Sequence, residues 1–231
     1  FYYKPRIDKK VLKKYSKDLI GLSGCWNGEV AKQVLAGDLK SAKKSIEDFV
    51  GIFGKDNFYL EVQEHEYEKF LSAQEEGSVI YNGLLESIRK NKLINDTLVK
   101  LSKETRVPLV ATNDVHYVEA EDAQAQDALL CIQTGKNLSD VTRLRMIDTP
   151  TFYLRSPEEM AELFNDIPEA IENTVKIANR VNIDIPIGQS KFPKFNLPEG
   201  KSANEYLEER VHEGIKVKVP NPTKEVLKRL E

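Results

Sequence analysis

Two cysteines, two methionines and a single tryptophan stand among 231 residues, and the formal net charge is only -3. Cys25 and Cys131 lie far apart, which excludes a small domain stapled by disulfides and suits the reducing cytoplasm. No apolar run is long enough to span a bilayer, so no membrane contact is expected. A pI near 5.8 leaves the chain without the overall positive field of a protein that grips duplex DNA by its phosphates. The segments GKNLSDVTRLRM (135–146) and IKVKVPNPTKEVLKR (215–229) are locally basic and are expected to be solvated faces. Several chemical templates are missing as well. Thr134-Gly135-Lys136 lacks the upstream glycine of a phosphate loop, and there is no nucleophile elbow, Gly-rich dinucleotide fingerprint or close Asp-x-Asp pair. The sequence opens on Phe1, with neither a methionine nor a signal-peptide core, which reads as a cut rather than a natural terminus.

What is present is the pattern of an α/β protein with one sizeable core. Three short apolar runs, LIGLSG (19–24), FYLEVQ (58–63) and PLVATN (108–113), are each followed by polar residues and then helical sequence. That rhythm predicts parallel strands joined by helical crossovers. Between the first two runs, Val30, Val34, Leu35, Ile46, Val50 and Phe53 recur at helical spacing, with a break at Gly37-Asp38. Before the third run, Leu93, Ile94, Leu98 and Leu101 fit one apolar stripe. Residues 121–133 read as a helix with Cys131 in the core. Ser156-Pro157-Glu158-Glu159 opens another with an N-cap, a first-turn proline and a capping-box glutamate, and Asp166-Ile167-Pro168-Glu169 repeats the signature. Proline, glycine and polar residues cluster at 185–202, which reads as a linker before two further helical stretches.

Candidate chemistry gathers where the apolar runs end. Asp114 and His116 are two residues apart, so both face the same way if strand geometry continues through them. A carboxylate and an imidazole suit Zn, Mn or Fe, and the C-terminal ends of parallel strands are where such folds place their sites. Cys25, just past LIGLSG, repeats the arrangement. Tyr59, Glu61 and Gln63 share one face of FYLEVQ, which makes that face wet or the lining of a polar interior. Glu61 and His65 are candidates to support a ligand from behind; His65 is expected at the surface, as is His212.

Taken in order, FYYKPRID (1–8), LIGLSGCWNGEV (19–30), FYLEVQEH (58–65), PLVATNDVHY (108–117), ALLCIQTGK (128–136), FYLRSPEEM (152–160) and PEAIENTVKIANRVN (168–182) resemble the bacterial DNA polymerase III alpha subunit family. The resemblance implies a partial, distorted β/α barrel of the PHP (polymerase and histidinol phosphatase) type with mostly parallel strands, followed by a helical extension. It implies the C-terminal part of that barrel and its helical exit over 1–184, the linker over 185–202, and the start of the polymerase-core helices over 203–231. By position, Cys25 matches the family's cysteine ligand, and Asp114 and His116 its closing Asp-x-His pair, for a divalent metal (Zn, Mn or Fe). The family's early His-x-His pair and further His, Asp and Glu ligands lie upstream of FYYKPRID, so the three ligands here cannot form a multinuclear site. Gln126 stands where many relatives carry histidine, and residues 66–92 form a longer connection than usual. The polymerase aspartates and their Mg lie beyond residue 231. The parent would act on DNA and nucleotides in the cytoplasm, with clamp and proofreading subunits as partners, and an intact PHP site would give 3′–5′ exonuclease or phosphoesterase chemistry. Two alternatives follow: a structural PHP module that braces the polymerase and docks a proofreading subunit, or a free-standing PHP phosphatase. The strand edges exposed by a cut predict marginal stability or self-association.

Overall fold

All three apolar runs become strands, and the computed structural model describes them within residues 6–189, 193 and 195–230. Residues 1–5 of the FYYKPRID motif and residues 190–192 and 194 of the expected linker lie outside the described residues, as does residue 231. Strand β1 is Gly21–Leu22, β2 is Phe58–Gln63 and β3 is Leu109–Thr112, hydrogen-bonded in the order β1-β2-β3. Both pairings are parallel, with Gly21 opposite Phe58 and Leu60 opposite Leu109. The first run yields a shorter strand than its apolar length suggests. Its ladder nevertheless extends past the strand, because Ser23 N–H donates to the Tyr59 carbonyl at 3.0 Å.

Helices fill the crossovers that parallel pairing demands. After α1 (Lys9–Lys14), α2 (Glu29–Leu35) and α3 (Leu39–Phe53) lie between β1 and β2, separated at Gly37-Asp38 as the sequence predicts. Asp38 caps α3 by accepting from Ser41 N–H at 2.9 Å. Between β2 and β3 stand α4 (Tyr67–Leu71) and the 27-residue α5 (Val79–Thr105). Core residues come from both crossovers and the sheet: Val30, Val34, Ile46, Leu98 and Leu101 pack against Phe58, Leu60, Val62 and Leu109. Each such side chain, fully buried, contributes about 1.5–3 kcal/mol. Leu93 does not join them. It is 48% exposed, because the buried stripe runs through Ile94, Leu98 and Leu101 at intervals of four and three, and Leu93 sits beside it.

Beyond β3 come α6 (Ala123–Thr134), α7 (Pro157–Leu163) and α8 (Pro168–Arg180). Cys131 is buried in α6, and the Ser156–Glu159 capping box is formed. Asp166 is not an N-cap. A proline at the first helical position puts the cap one residue before it, which is Ser156 in one case and Ile167 in the other. Helix α8 covers the free side of β3, where Asn173 Nδ2 donates to the Leu109 carbonyl at 2.7 Å. The result is a mixed α/β fold with a small parallel sheet. That agrees with the PHP-type fold class expected; among the described residues the three strands form an open sheet and not a closed barrel.

Two compact units divide the chain, Phe1–Asn182 and Ile183–Glu231. The second holds α9 (Ala203–Lys218), opened by a Ser202–Glu205 capping box, and α10 (Lys224–Lys228). Phe195 stacks on Tyr206 with ring centres 5.8 Å apart, and none of this unit's described residues is buried.

Candidate functional site

The turn after β1 is shaped by two glycines. Gly24 adopts a left-handed φ of 78°, and a Cβ on Gly28 would stand 2.3 Å from the Ser23 carbonyl oxygen. This tight path brings Cys25, which is partly buried, and Trp26 to the sheet's C-terminal edge before α2 begins. The Trp26 ring lies nearly parallel to Tyr67, 6.2 Å away.

Glu61 is the hub of the neighbouring strand. Its carboxylate accepts from Gly24 N–H at 3.1 Å, Gln63 Nε2 at 2.8 Å and Thr112 Oγ1 at 2.6 Å, which ties all three strand ends together. The face carrying Tyr59, Glu61 and Gln63 is therefore a polar lining and not an open surface. Tyr59 itself is buried, with its hydroxyl 3.2 Å from Arg180.

His65 departs most from expectation: it is 3% exposed instead of at the surface. Its ring stacks on Phe152 at 4.1 Å and meets the edge of Tyr67 at 5.6 Å, so a non-local aromatic partner decides its burial. Burial, with the Arg155 and His116 charges nearby, lowers its pKa to about 4. The turn around it is knitted by Glu64, which accepts from the His65 and Glu66 N–H groups at 2.9 and 2.8 Å. Glu66 takes a left-handed φ of 52° and lies 3.0 Å from Arg155 Nη2, close enough for an ion pair but off the angle of a hydrogen bond. Burial also raises the Tyr67 phenol well above its ordinary value, with Glu64, Asp114 and Cys25 adding to the effect.

Strand geometry does not persist through Asp114 and His116. β3 stops at Thr112 and Asp114 turns left-handed at φ 46°, so the two side chains owe their common side to a turn instead of strand alternation. His116 is exposed; its Nδ1 lies 2.5 Å from the Asp114 carbonyl, and because a carbonyl only accepts, Nδ1 carries the proton in this contact, while Nε2 makes no hydrogen bond among the described residues.

A cleft of about 690 Å³ opens over these strand ends. Cys25, Glu61, His65, Asp114 and His116 all line it. A second wall comes from α5, which presents Ser87, Asn91 and Asn95 at one-turn spacing; Asn95 Nδ2 donates to the Gln63 carbonyl at 2.8 Å. Residues of the 141–149 loop and Phe152 supply the third. The sequence pattern assigned 135–146 to a solvated basic face, but its arginines turn inward. Arg143 is 8% exposed and holds Asp127 through two 2.6 Å bonds, while Arg145 holds Asp148 at 2.6 and 2.7 Å. Asp127 lies 16 residues back in α6, whereas Asp148 is only three residues past Arg145. Trp26, Asn113, Thr151 and Phe152 were not singled out; their roles come from contacts across the chain.

Thiol, imidazole and carboxylate are donors that suit a divalent transition metal. The trio does not complete such a site, however: among the described residues no three His, Cys, Asp or Glu side chains lie close enough to hold an ion together.

Comparison with known proteins shows what the chain is similar to. Residues 1–65 match the PHP domain family model, which takes in the Cys25 turn, Glu61 and His65. Over 99% of its length the chain is 42% identical to 18% of the DNA polymerase III subunit alpha of Borreliella burgdorferi. It is 38% identical to the protein of that name from Treponema pallidum, over 93% of this chain and 16% of that protein. The corresponding Thermus aquaticus protein is 34% identical over 99% of this chain and 17% of its own length. The chain is thus homologous to a PHP-containing segment of DNA polymerase III alpha subunits, and it spans less than a fifth of those relatives' length.

Proposed function

We propose that this chain serves in DNA replication as a segment of a replicative DNA-directed DNA polymerase, a nucleotidyltransferase of the alpha-subunit type. The observation that carries the proposal is homology to DNA polymerase III subunit alpha along 99% of the chain. In this reading 1–184 is the later part of the PHP domain with its helical exit, 185–202 a linker and 203–231 the start of the polymerase-core helices. DNA, nucleotides and the clamp and proofreading subunits are the partners of the whole protein, in the cytoplasm. Among the described residues no helix is long and apolar enough to cross a membrane.

Within that protein, Cys25, Asp114 and His116 contribute donors to a PHP site for Zn, Mn or Fe, with Glu61 and His65 holding the surrounding loops. Metal-dependent 3′–5′ exonuclease or phosphoesterase chemistry belongs to the completed site; the trio alone is inactive. Mg for synthesis belongs to polymerase carboxylates, and this sequence has no close Asp-x-Asp pair. A second reading is a structural PHP module that braces the polymerase and docks a proofreading subunit; Cys25, Asp114 and His116 lining one cleft weigh against it.

His116→Ala in a full-length alpha subunit carrying this sequence separates the two. Metal-site function predicts at least about a tenfold loss of nuclease activity on a 3′-labelled primer with primer extension kept. Equal loss of both activities contradicts the separation of roles, and a wild-type protein without nuclease activity selects the bracing module.

A further inference from the structure

Asn113 is 6% exposed and spends both protons of its amide on one extended segment: Nδ2 donates to the Thr151 and Tyr153 carbonyls, each at 2.8 Å. Alternate carbonyls of an extended strand face one way, and a planar NH₂ group offers two donors in a fixed fork. The two carbonyls fix the orientation, since a flip would set oxygen against both; the amide oxygen is buried and has no partner among the described residues.

The pinned segment reaches both strand-exit loops. Its Phe152 carbonyl accepts from His116 N–H at 2.8 Å, and Leu154 N–H donates to the Val118 carbonyl at 3.1 Å. Thr151 Oγ1 donates to the His65 carbonyl at 3.3 Å, and the Phe152 ring packs on His65 and, edge-on, on His116. Asp114, the next residue after the pin, is where the backbone turns left-handed.

We infer that Asn113 is a positioning residue: its forked amide fastens residues 151–153 to the exit of β3 and so sets where Asp114 and His116 stand on the cleft. Its value to metal binding rests on the proposed PHP site; the pin itself does not. No shorter side chain supplies two coplanar N–H groups, and Asp, of the same size, replaces both donors with acceptors.

The test is hydrogen exchange of single backbone amides, followed by NMR in the 231-residue protein. Asn113→Asp is expected to speed exchange at His116 and Leu154 at least about tenfold more than at Leu60, whose N–H lies inside the sheet and donates to Pro108. Asn113→Ser, which keeps one donor, shows the same pattern at smaller amplitude and stands in if the Asp variant does not fold. Asn173→Ala, which frees the Leu109 carbonyl away from the cleft, leaves that ratio unchanged. Equal acceleration at all three amides, or none at His116 and Leu154, overturns the inference. Titrating Zn²⁺ alone into the full-length subunit separates the two ideas: if the wild type takes up none, the metal reading fails and the exchange ratio still decides the pin.

Discussion

On one side of the cleft, Glu61 collects hydrogen bonds from Gly24, Gln63 and Thr112, all at the ends of adjacent strands. On the other, Asn113 reaches a segment about forty residues further along the chain, and Arg143 folds back onto Asp127 in α6. The first wall is held by the sheet's own register, whereas the second is held by side chains that bridge irregular backbone. Strand register fixes where Cys25 and Glu61 stand; side-chain contacts to irregular backbone fix where Asp114 and His116 stand.

The largest way to break the first wall is to hollow the core beneath it. Leu60→Ala removes a side chain with no exposed surface, and about 2–5 kcal/mol of global stability should go with it, read from urea midpoints at unchanged slope. Damage confined to β2, with the rest of the first unit intact, would show the wall is not part of one cooperative core.

His65 joins the walls, and pH tests it. Its folded pKa of about 4 lies below the ordinary 6.5, so the unfolded chain takes up the proton first. The stability it confers is present above pH 6.5 and drains away as pH falls toward 4. Between pH 7.5 and 4.5 the wild type should lose roughly 2–3 kcal/mol more than His65→Phe, which keeps a ring and removes the titration. Parallel pH profiles for the two proteins would mean that His65 is not buried neutral against Phe152.

A smaller effect sharpens the contrast. Glu61→Ala leaves Gly24, Gln63 and Thr112 donors without their acceptor, for a loss of about 1–3 kcal/mol, while Glu61→Gln, keeping one amide oxygen, should lose less. A Gln variant as damaged as the Ala variant would place the value of Glu61 in its charge instead of its hydrogen bonds.

The same contrast explains what could be read from sequence. Helix starts at Ser156 and the break at Gly37-Asp38 depend on residues one to three positions apart, and period-two alternation put Tyr59, Glu61 and Gln63 on one face. His65 looked exposed because its partner, Phe152, is 87 residues away. Arg143 looked solvated because a basic run says nothing about an aspartate in α6. Leu93 and Asp166 failed by a single position, where a helical stripe or a cap is too narrow for pattern matching. Cys25, Asp114 and His116 were legible as candidates lining one cleft, and the left-handed turn that brings two of them there was not.

The central claim is that these three side chains are an incomplete part of a PHP metal site in a replicative polymerase. Elemental analysis of the 231-residue chain and of a full-length alpha subunit carrying it, both dialysed after loading with Zn²⁺, Mn²⁺ or Fe²⁺, tests it most directly. The account predicts retention by the full-length protein, lost in His116→Ala, and less than one ion per molecule in the shorter chain. One or more ions held by the shorter chain and released by Cys25→Ser or His116→Ala would contradict it.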